Sequence, residues 1–296
     1  MGMLNDILTI GNALNSVLRS LNNIIELGRK YGWVRRVYII GAGSSYYASL
    51  YASMHGNLKS NICIYPTPPS EFMARDLMGA DSSSLVIAIS RSGETAETLE
   101  ALRLAKSRGA STIMVTLGGP RNVGYIDHYV SLSTSEEGVE MTKSYIALST
   151  AASILVSALT GIELDYAKIV ESMANCATRI IGDGGLLGLA RDIAHGWVKD
   201  GLSRFTILGY AHSYPTALEA SLKFTETSYV PAVALGALEF RHGPVATVGE
   251  RQVIILMGQP TGFMKHIVKL AEDLKALSKG SETRLLVVTS DDELAS

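Results

Sequence analysis

At 296 residues, with 47% hydrophobic and 18% charged side chains, the chain carries enough apolar material for one large domain or two of ordinary size. A formal net charge of -2 gives no electrostatic case for nucleic acid or an anionic membrane. No cationic leader opens the chain and no apolar run approaches ~18 residues without interruption, so a globular cytoplasmic protein with no membrane partner is expected. Cys63 and Cys176, both in apolar or helical surroundings, read as small core residues of a reduced compartment.

From Met3 to Tyr31 apolar residues recur at spacings of three and four, which predicts one amphipathic helix with a packing or subunit-contact role. Val37–Ile40 reads as a strand and runs into Gly41-Ala42-Gly43-Ser44-Ser45, followed by a helix from about Tyr46 to Leu58. A dinucleotide fingerprint would place a third glycine at Tyr46 and an acidic residue about 20 positions on, and the sequence has neither. Ser44 and Ser45 leave two readings open: a hydroxyl-bearing loop, or a tight turn with a serine cap. Ile62–Tyr65 is the next strand, and Pro66, Pro68 and Pro69 predict an extended loop after it.

Ser84–Ile89 reads as a fully buried strand, and a helix pattern begins by Glu97. Between them stand Ser90, Ser92, Thr95 and Thr98. Free backbone N–H groups at a helix start, with extra hydroxyl donors, suit a phosphate monoester. An ordinary N-cap is the alternative, but it needs only one of the four. The helix ends at Gly109, and strands follow at Thr112–Thr116 and Tyr129–Leu132. Strands alternating with helices predict βαβ units and a parallel sheet, with ligands at the carboxyl ends of the strands.

Polar Glu136–Lys143 gives way to Ser144–Gly161, apolar and small all round. Such a helix is buried, and a second domain or subunit is the expected cover. Lys143, at its entrance, reads equally as a solvated lysine. Gly161–Asp165 reads as a linker, followed by helices Tyr166–Gly182 and Leu186–Lys199. The predicted organisation is a helical segment over 1–33, a first α/β domain over 34–163 and a second over 164–296.

At Phe205 the chain repeats itself. Phe205–Tyr214 parallels Val37–Tyr46, Gln252–Met257 parallels Ser84–Ile89, and a helix over Phe263–Leu277 and a strand over Thr283–Thr289 follow as before. Where the first copy has Ser90-Arg91-Ser92-Gly93-Glu94-Thr95, the second has Gly258-Gln259-Pro260-Thr261-Gly262. The second copy carries its own polar insert: Glu219, Lys223 and Glu226 share one helix face, a pattern also met in surface ion-pair ladders. His242 lies in the tightly specified loop Gly236–Pro244. A carboxylate and an imidazole are the groups needed for proton abstraction beside a carbonyl and for opening a sugar ring, each contributing ~10²–10⁴ in rate. The six histidines are scattered, none at ligand spacing to another histidine or cysteine, so no metal and no cofactor are expected.

Gly43-Ser44-Ser45-Tyr46, Ser90–Thr95, Gly138-Val139 with Thr142-Lys143, Tyr214–Glu219, Lys223, Glu226, Ser228-Tyr229 and Glu239–Pro244 together resemble the double sugar-isomerase (SIS) domain family. Within it they are most similar to the isomerase half of glucosamine-6-phosphate synthases (glutamine–fructose-6-phosphate aminotransferases) and to archaeal-type glucosamine-6-phosphate deaminases. The resemblance implies two tandem flavodoxin-like αβα subdomains, each with a mainly parallel sheet flanked by helices. It implies a phosphosugar ligand held by Gly43, Ser44, Ser45, Ser90, Arg91, Ser92, Thr95, Val139 and Lys143. Glu226 would move the proton between C1 and C2 with Lys223 nearby. His242 would open the ring from across a homodimer interface.

The chain departs from the family in three places. It starts with a helix and has no N-terminal nucleophilic cysteine, so glutamine is not expected as its nitrogen source. It stops at Ser296, where the family continues into a tail with a Schiff-base lysine. A different lysine, chemistry without an imine, or a shortened chain would each account for that. Arg91 replaces a usual glutamine and would add a bidentate phosphate contact, and Met141 stands where the synthases have a sugar-contacting serine. The reaction implied is glucosamine 6-phosphate to fructose 6-phosphate and ammonia. The alternatives are a fructosamine-6-phosphate deglycase and a non-catalytic phosphosugar-binding regulator.

Overall fold

A computed structural model describes residues 2–56 and 60–295. The chain divides into two compact units, Met1–Asp183 and Gly184–Ser296. The first opens with α1 (Gly2–Leu8) and α2 (Ile10–Lys30). The single helix expected from Met3 to Tyr31 breaks at Thr9, whose backbone leaves helical geometry (φ -112°, ψ 18°) while its hydroxyl donates back to the Asn5 carbonyl at 2.8 Å.

There follow β1 (Arg36–Ile40), α3 (Ser44–Ser53), β2 (Cys63–Thr67) and the short helix α4 (Pro69–Glu71), which runs on in π and 3-10 turns to Gly79. Then come β3 (Ser84–Ile89), α5 (Ala96–Ser107), β4 (Ser111–Thr116), β5 (His128–Ser131), α6 (Lys143–Leu159) and α7 (Tyr166–Gly182). The helix expected to reach Leu58 ends at Ser53, and Leu58 itself lies outside the described residues.

All five strands are parallel, in the order β2-β1-β3-β4-β5. Strand periodicity sends alternate residues to opposite faces. Val37, Ile39, Leu85, Ile87, Ile89, Ile113 and Val115 pack beneath α2, α3, α6 and α7. Tyr38, Ile40, Val86, Ala88 and Met114 pack on Phe72 and on Ala101, Leu102 and Ala105 of α5. The chain's direction across the sheet reverses between β1 and β3, so the loops after these two strands flank the crevice where doubly wound sheets bind ligands.

Several expectations need correction. The cover of α6 is not a second domain or subunit: α2 and α3 of its own unit enclose it. A Cβ on Gly28 would come 2.7 Å from the Leu155 carbonyl oxygen, so glycine lets α2 cross α6 closely. Pro66 lies inside β2, paired with Ile39, which an edge strand tolerates because its outer side needs no N–H. The same open edge leaves Cys63 exposed, while Cys176 is half-buried. Helix α7 packs along α2, so the first unit runs beyond the 163/164 boundary read from the sequence.

The second unit contains α8 (Gly184–Lys199), β6 (Phe205–Gly209), α9 (Ser213–Ser228), β7 (Ala232–Gly236), β8 (Gln252–Gly258), α10 (Met264–Ser278), β9 (Thr283–Thr289) and α11 (Asp292–Ala295). Its parallel order β7-β6-β8-β9 reproduces β2-β1-β3-β4. Leu208, Ile254 and Leu256 face α10, and Phe205, Ile207, Val253 and Ile255 face Ala217 of α9 and Trp197 of α8. Among the described residues no helix is long and apolar enough to cross a membrane.

Candidate functional site

After β1 the backbone turns into α3 so tightly that a Cβ on Gly41 would lie 2.4 Å from the Ser45 carbonyl oxygen. Gly43 takes φ 56° and ψ -127°, open to glycine alone, and as the N-cap residue it has no side chain to offer. The Ser45 amide donates to the Ala42 carbonyl, and the Tyr46 and Tyr47 amides donate to the Gly43 carbonyl. Ser44 and Ser45 are buried in its first turn, and Ser45 Oγ lies 3.8 Å from Met141 Sδ.

The loop after β3 is held on the end of β4. Leu117 N and Thr116 Oγ1 both donate to the Arg91 carbonyl at 3.1 Å. A Cβ on Gly118 would lie 2.6 Å from the Ser92 carbonyl oxygen. Ser90 Oγ accepts from Gly93 N at 3.1 Å and lies 3.2 Å from Thr95 Oγ1, and Ser92 Oγ accepts from Glu94 N at 3.1 Å. Thr95 occupies the N-cap position of α5 but makes no capping hydrogen bond, so ordinary capping does not explain the hydroxyls. The first-turn amides of α5, which a helix cannot satisfy internally, are left for another acceptor. Thr98 is enclosed, and its hydroxyl has no hydrogen-bond partner among the described residues.

Arg91 is already engaged. Its Nη1 donates to the Val139 carbonyl at 2.7 Å and lies 3.5 Å from Glu136 Oε2. The Glu136 side chain is 2% exposed; it accepts from Thr142 N at 2.5 Å, Thr142 Oγ1 at 2.9 Å and Ser144 N at 3.2 Å, and from Ser144 Oγ. It thereby closes the start of α6, where Thr142 itself makes no cap. Lys143 is buried rather than solvated: its Nζ lies 2.8 Å from Asp6 Oδ1 and donates to Thr9 Oγ1 at 3.1 Å. Asp6 also accepts from Glu137 N at 3.0 Å and Gly138 N at 2.7 Å. Burial pushes the Asp6 carboxyl up, but the hydrogen bonds from Lys143 and the two amides, with the Lys143 charge, outweigh it and hold the group below its ordinary value.

In the second unit, α9 presents Glu219, Lys223 and Glu226 on one face. Lys223 Nζ lies 3.3 Å from Glu219 Oε1 and 2.5 Å from Glu226 Oε2, with the lysine side chain 15% exposed. These residues form a half-enclosed cluster around one ammonium, not a solvated ladder. His242 follows a 3-10 turn over Glu239–Arg241, and its amide donates to the Glu239 carbonyl at 2.9 Å. Buried Phe240 anchors that turn, Arg241 pairs with Asp273 at 3.0 Å, and Gly243 takes φ 118°. The His242 side chain is exposed.

The structure brings Ser90, Arg91, Ser92 and Thr95 into one loop of the first unit and Lys223 and Glu226 onto one helix face of the second. Asp6 and Glu136 escaped the sequence reading. The available signal for Asp6 was its isolation: it is the sole charged residue before Arg19. Among the described residues no cluster of three or more histidine, cysteine, aspartate or glutamate side chains could hold a metal.

Comparison with known proteins agrees with this architecture. Glutamine–fructose-6-phosphate aminotransferase (isomerizing) from Mycobacterium leprae is 30% identical over 274 residues, covering 88% of this chain and 42% of that protein. The enzyme of the same name from Thermus thermophilus is 29% identical, covering 96% of this chain and 48% of its own length. The chain thus spans less than half the length of these curated relatives. The C-terminal domain of the Francisella tularensis glucosamine-fructose-6-phosphate aminotransferase superposes with a TM-score of 0.79 at 24% identity, over 98% of this chain and 83% of that one. Glucosamine-6-phosphate deaminase from Thermotoga maritima gives a TM-score of 0.75 at 21% identity, over 99% and 85%. The SIS domain matches residues 33–158 and again 203–295, one copy on each of the two parallel sheets, and the chain belongs to the SIS domain family.

Proposed function

We propose that this chain is a phosphosugar isomerase of amino-sugar metabolism that converts glucosamine 6-phosphate and water into fructose 6-phosphate and ammonia. The observation that carries the reading is the uncapped start of α5 at the switch point of the first sheet, where the loops after β1 and β3 bring Ser45, Ser90, Ser92 and Thr95. The first-turn amides of α5 and the hydroxyls at that place are suited to a phosphate monoester. The names of the relatives, which join fructose 6-phosphate to an amine, favour this sugar.

In this reading Gly43, Ser44, Ser45, Ser90, Ser92 and Thr95 hold the phosphate, and the Val139 segment borders the sugar. The partner subunit's His242 opens the ring, moving the C1 hydroxyl proton to the ring oxygen. Exposure of His242 on its own chain suits that role in a homodimer. Glu226 then takes the C2 proton and returns it to C1 while an amine proton passes to O1, leaving an imine at C2. Water adds to the imine and ammonia departs. Lys223, between Glu219 and Glu226, orients the carboxylate that does this work.

Ammonia release from glucosamine 6-phosphate, with fructose 6-phosphate read in a coupled assay, tests the proposal. Wild type should turn over, and Glu226→Gln should lose at least ~10²-fold in rate while still binding the sugar. Tight binding with no turnover in the wild type would leave a phosphosugar sensor instead.

A further inference from the structure

Helix α1 is docked in an unusual way. An amphipathic helix held for packing buries its apolar face. Here Leu4 is 54% and Leu8 46% exposed, and the sole buried residue among the seven is Asp6, at 0%. Burying a carboxylate is costly unless it is fully paired, and this one is: Lys143 Nζ, Glu137 N and Gly138 N all reach it within 3.0 Å. The two amides belong to the segment whose next carbonyls, Gly138 O and Val139 O, accept from Arg91 at 3.5 and 2.7 Å. Arg91 is a member of the serine loop. An unbroken chain of short polar contacts therefore runs from α1 through the 136–143 segment to residues 90–95.

We propose that Asp6 is a positioning residue for the phosphate site, fixing the 137–138 backbone so that Arg91, and with it the serine loop, is held in its binding geometry; this rests on the phosphosugar reading above. Lys143 then acts as the counter-charge that lets Asp6 be buried, and it touches no phosphate. Arg91 is a tie between two loops. The arrangement makes α1 part of the binding site although none of its side chains contacts the sugar. Ordering a loop in advance removes that cost from each binding event.

The test compares wild type, Asp6→Asn, the double variant Asp6→Ala/Lys143→Met and Ser90→Ala/Ser92→Ala. Each is assayed by calorimetry with glucosamine 6-phosphate, by thermal unfolding, and by amide hydrogen exchange without ligand. Removing both buried charges together keeps the fold testable, because no charge is left unpaired. Asp6→Asn should bind at least tenfold more weakly, with faster exchange at both 136–143 and 90–95 and wild-type protection in β1 and β3. The double variant should regain thermal stability but stay at least tenfold weaker, because the 137 and 138 amides remain unanchored. Affinity that returns with stability, or exchange that rises in α1 alone, overturns the positioning role. If Ser90→Ala/Ser92→Ala loses binding while both Asp6 variants keep it within twofold, the positioning proposal fails alone. A wild type that binds no 6-phosphosugar overturns the phosphosugar reading, and the site role of Asp6 with it.

Discussion

Gly43 and Ala211 stand at matching places in the strand-to-helix turns of the two units, and both take positive φ, 56° and 50° respectively. Two residues earlier, Gly41 and Gly209 each stand where a Cβ would lie 2.4 Å from a helix carbonyl, that of Ser45 in one unit and Ser213 in the other. The strand-to-helix turn was therefore duplicated with its steric constraints intact, although one copy now carries alanine at the left-handed position. Nothing lies within 4 Å of a Cβ placed on Gly43, so Gly43→Ala tests backbone strain by itself. It should cost about 1–3 kcal/mol. Ala211→Gly should change stability by less than about 1 kcal/mol, because relief of left-handed strain is offset by the extra freedom of glycine in the unfolded chain. Trp33 and Trp197 fall one in each unit, so urea unfolding of Trp197→Phe and Trp33→Phe backgrounds reads the two units separately. Equal costs for Gly43→Ala and Ala211→Gly would refute the assignment.

Glu136 is the acceptor on which the start of α6 depends. Glu136→Ala would leave the Thr142 and Ser144 amides without it and Arg91 without its carboxylate. The expected loss is at least about 2–3 kcal/mol, since each buried group left unsatisfied costs about 1–3 kcal/mol. Glu136→Gln keeps one acceptor oxygen and should fall between. Hydrogen exchange of the first turn of α6 should rise in the same order; an unchanged first turn in Glu136→Ala would show that the carboxylate is not its cap.

Arg91 separates the sequence expectation from the structure. A direct bidentate contact to phosphate would be worth about 1.5–3 kcal/mol, more than tenfold in affinity. With Nη1 committed to Val139 and Glu136, Arg91→Gln cuts the tie through which Asp6 acts, so it should weaken 6-phosphosugar binding as much as Asp6→Asn does, and by less than Ser90→Ala/Ser92→Ala. Calorimetry on wild type and these variants decides it, and a larger loss in Arg91→Gln than in Asp6→Asn would restore the direct contact.

What could be read from the sequence was whatever local pattern determines. Ser84–Ile89 is buried at every position, and its apolar run predicted that. The repeat was legible because Gly41 and Gly209 face identical steric demands. Tertiary choices were not legible. Asp6 bonds to residues 131 and 132 positions further along the chain, so nothing beside it reveals its partners. Glu136 looked like one more polar residue, since its acceptor role depends on how the loop before α6 folds back. Pro66 looked like a strand breaker because the sequence does not mark β2 as an edge. Cys63 looked like core for the same reason.

Asp81 ties the starts of two central strands together, and its titration should be visible in stability. Its Oδ1 accepts from Ser83 N at 2.9 Å, Ser83 Oγ at 2.7 Å and Ser84 Oγ at 3.0 Å, and its carboxylate pairs with Arg36, which lies opposite Ser84 in the β1–β3 register. The Ser83 hydroxyl and amide, with Ser84 and the Arg36 charge, lower the carboxyl from 3.8 to about 2 against a smaller desolvation penalty. Because the folded value is depressed, the unfolded chain binds more protons between the two values, and stability in that range rises with pH. The Asp81 contribution is therefore complete above the unfolded value and is lost as pH falls from 3.8 towards about 2. Asp6 shifts in the same direction, so wild type alone would not isolate Asp81. The check is urea midpoints of wild type and Asp81→Asn across that acid range. Asp81→Asn should be less stable at neutral pH, and the gap should close as the wild-type carboxyl protonates. A gap independent of pH would mean that Asp81 acts through shape and hydrogen bonding, with no part for its charge.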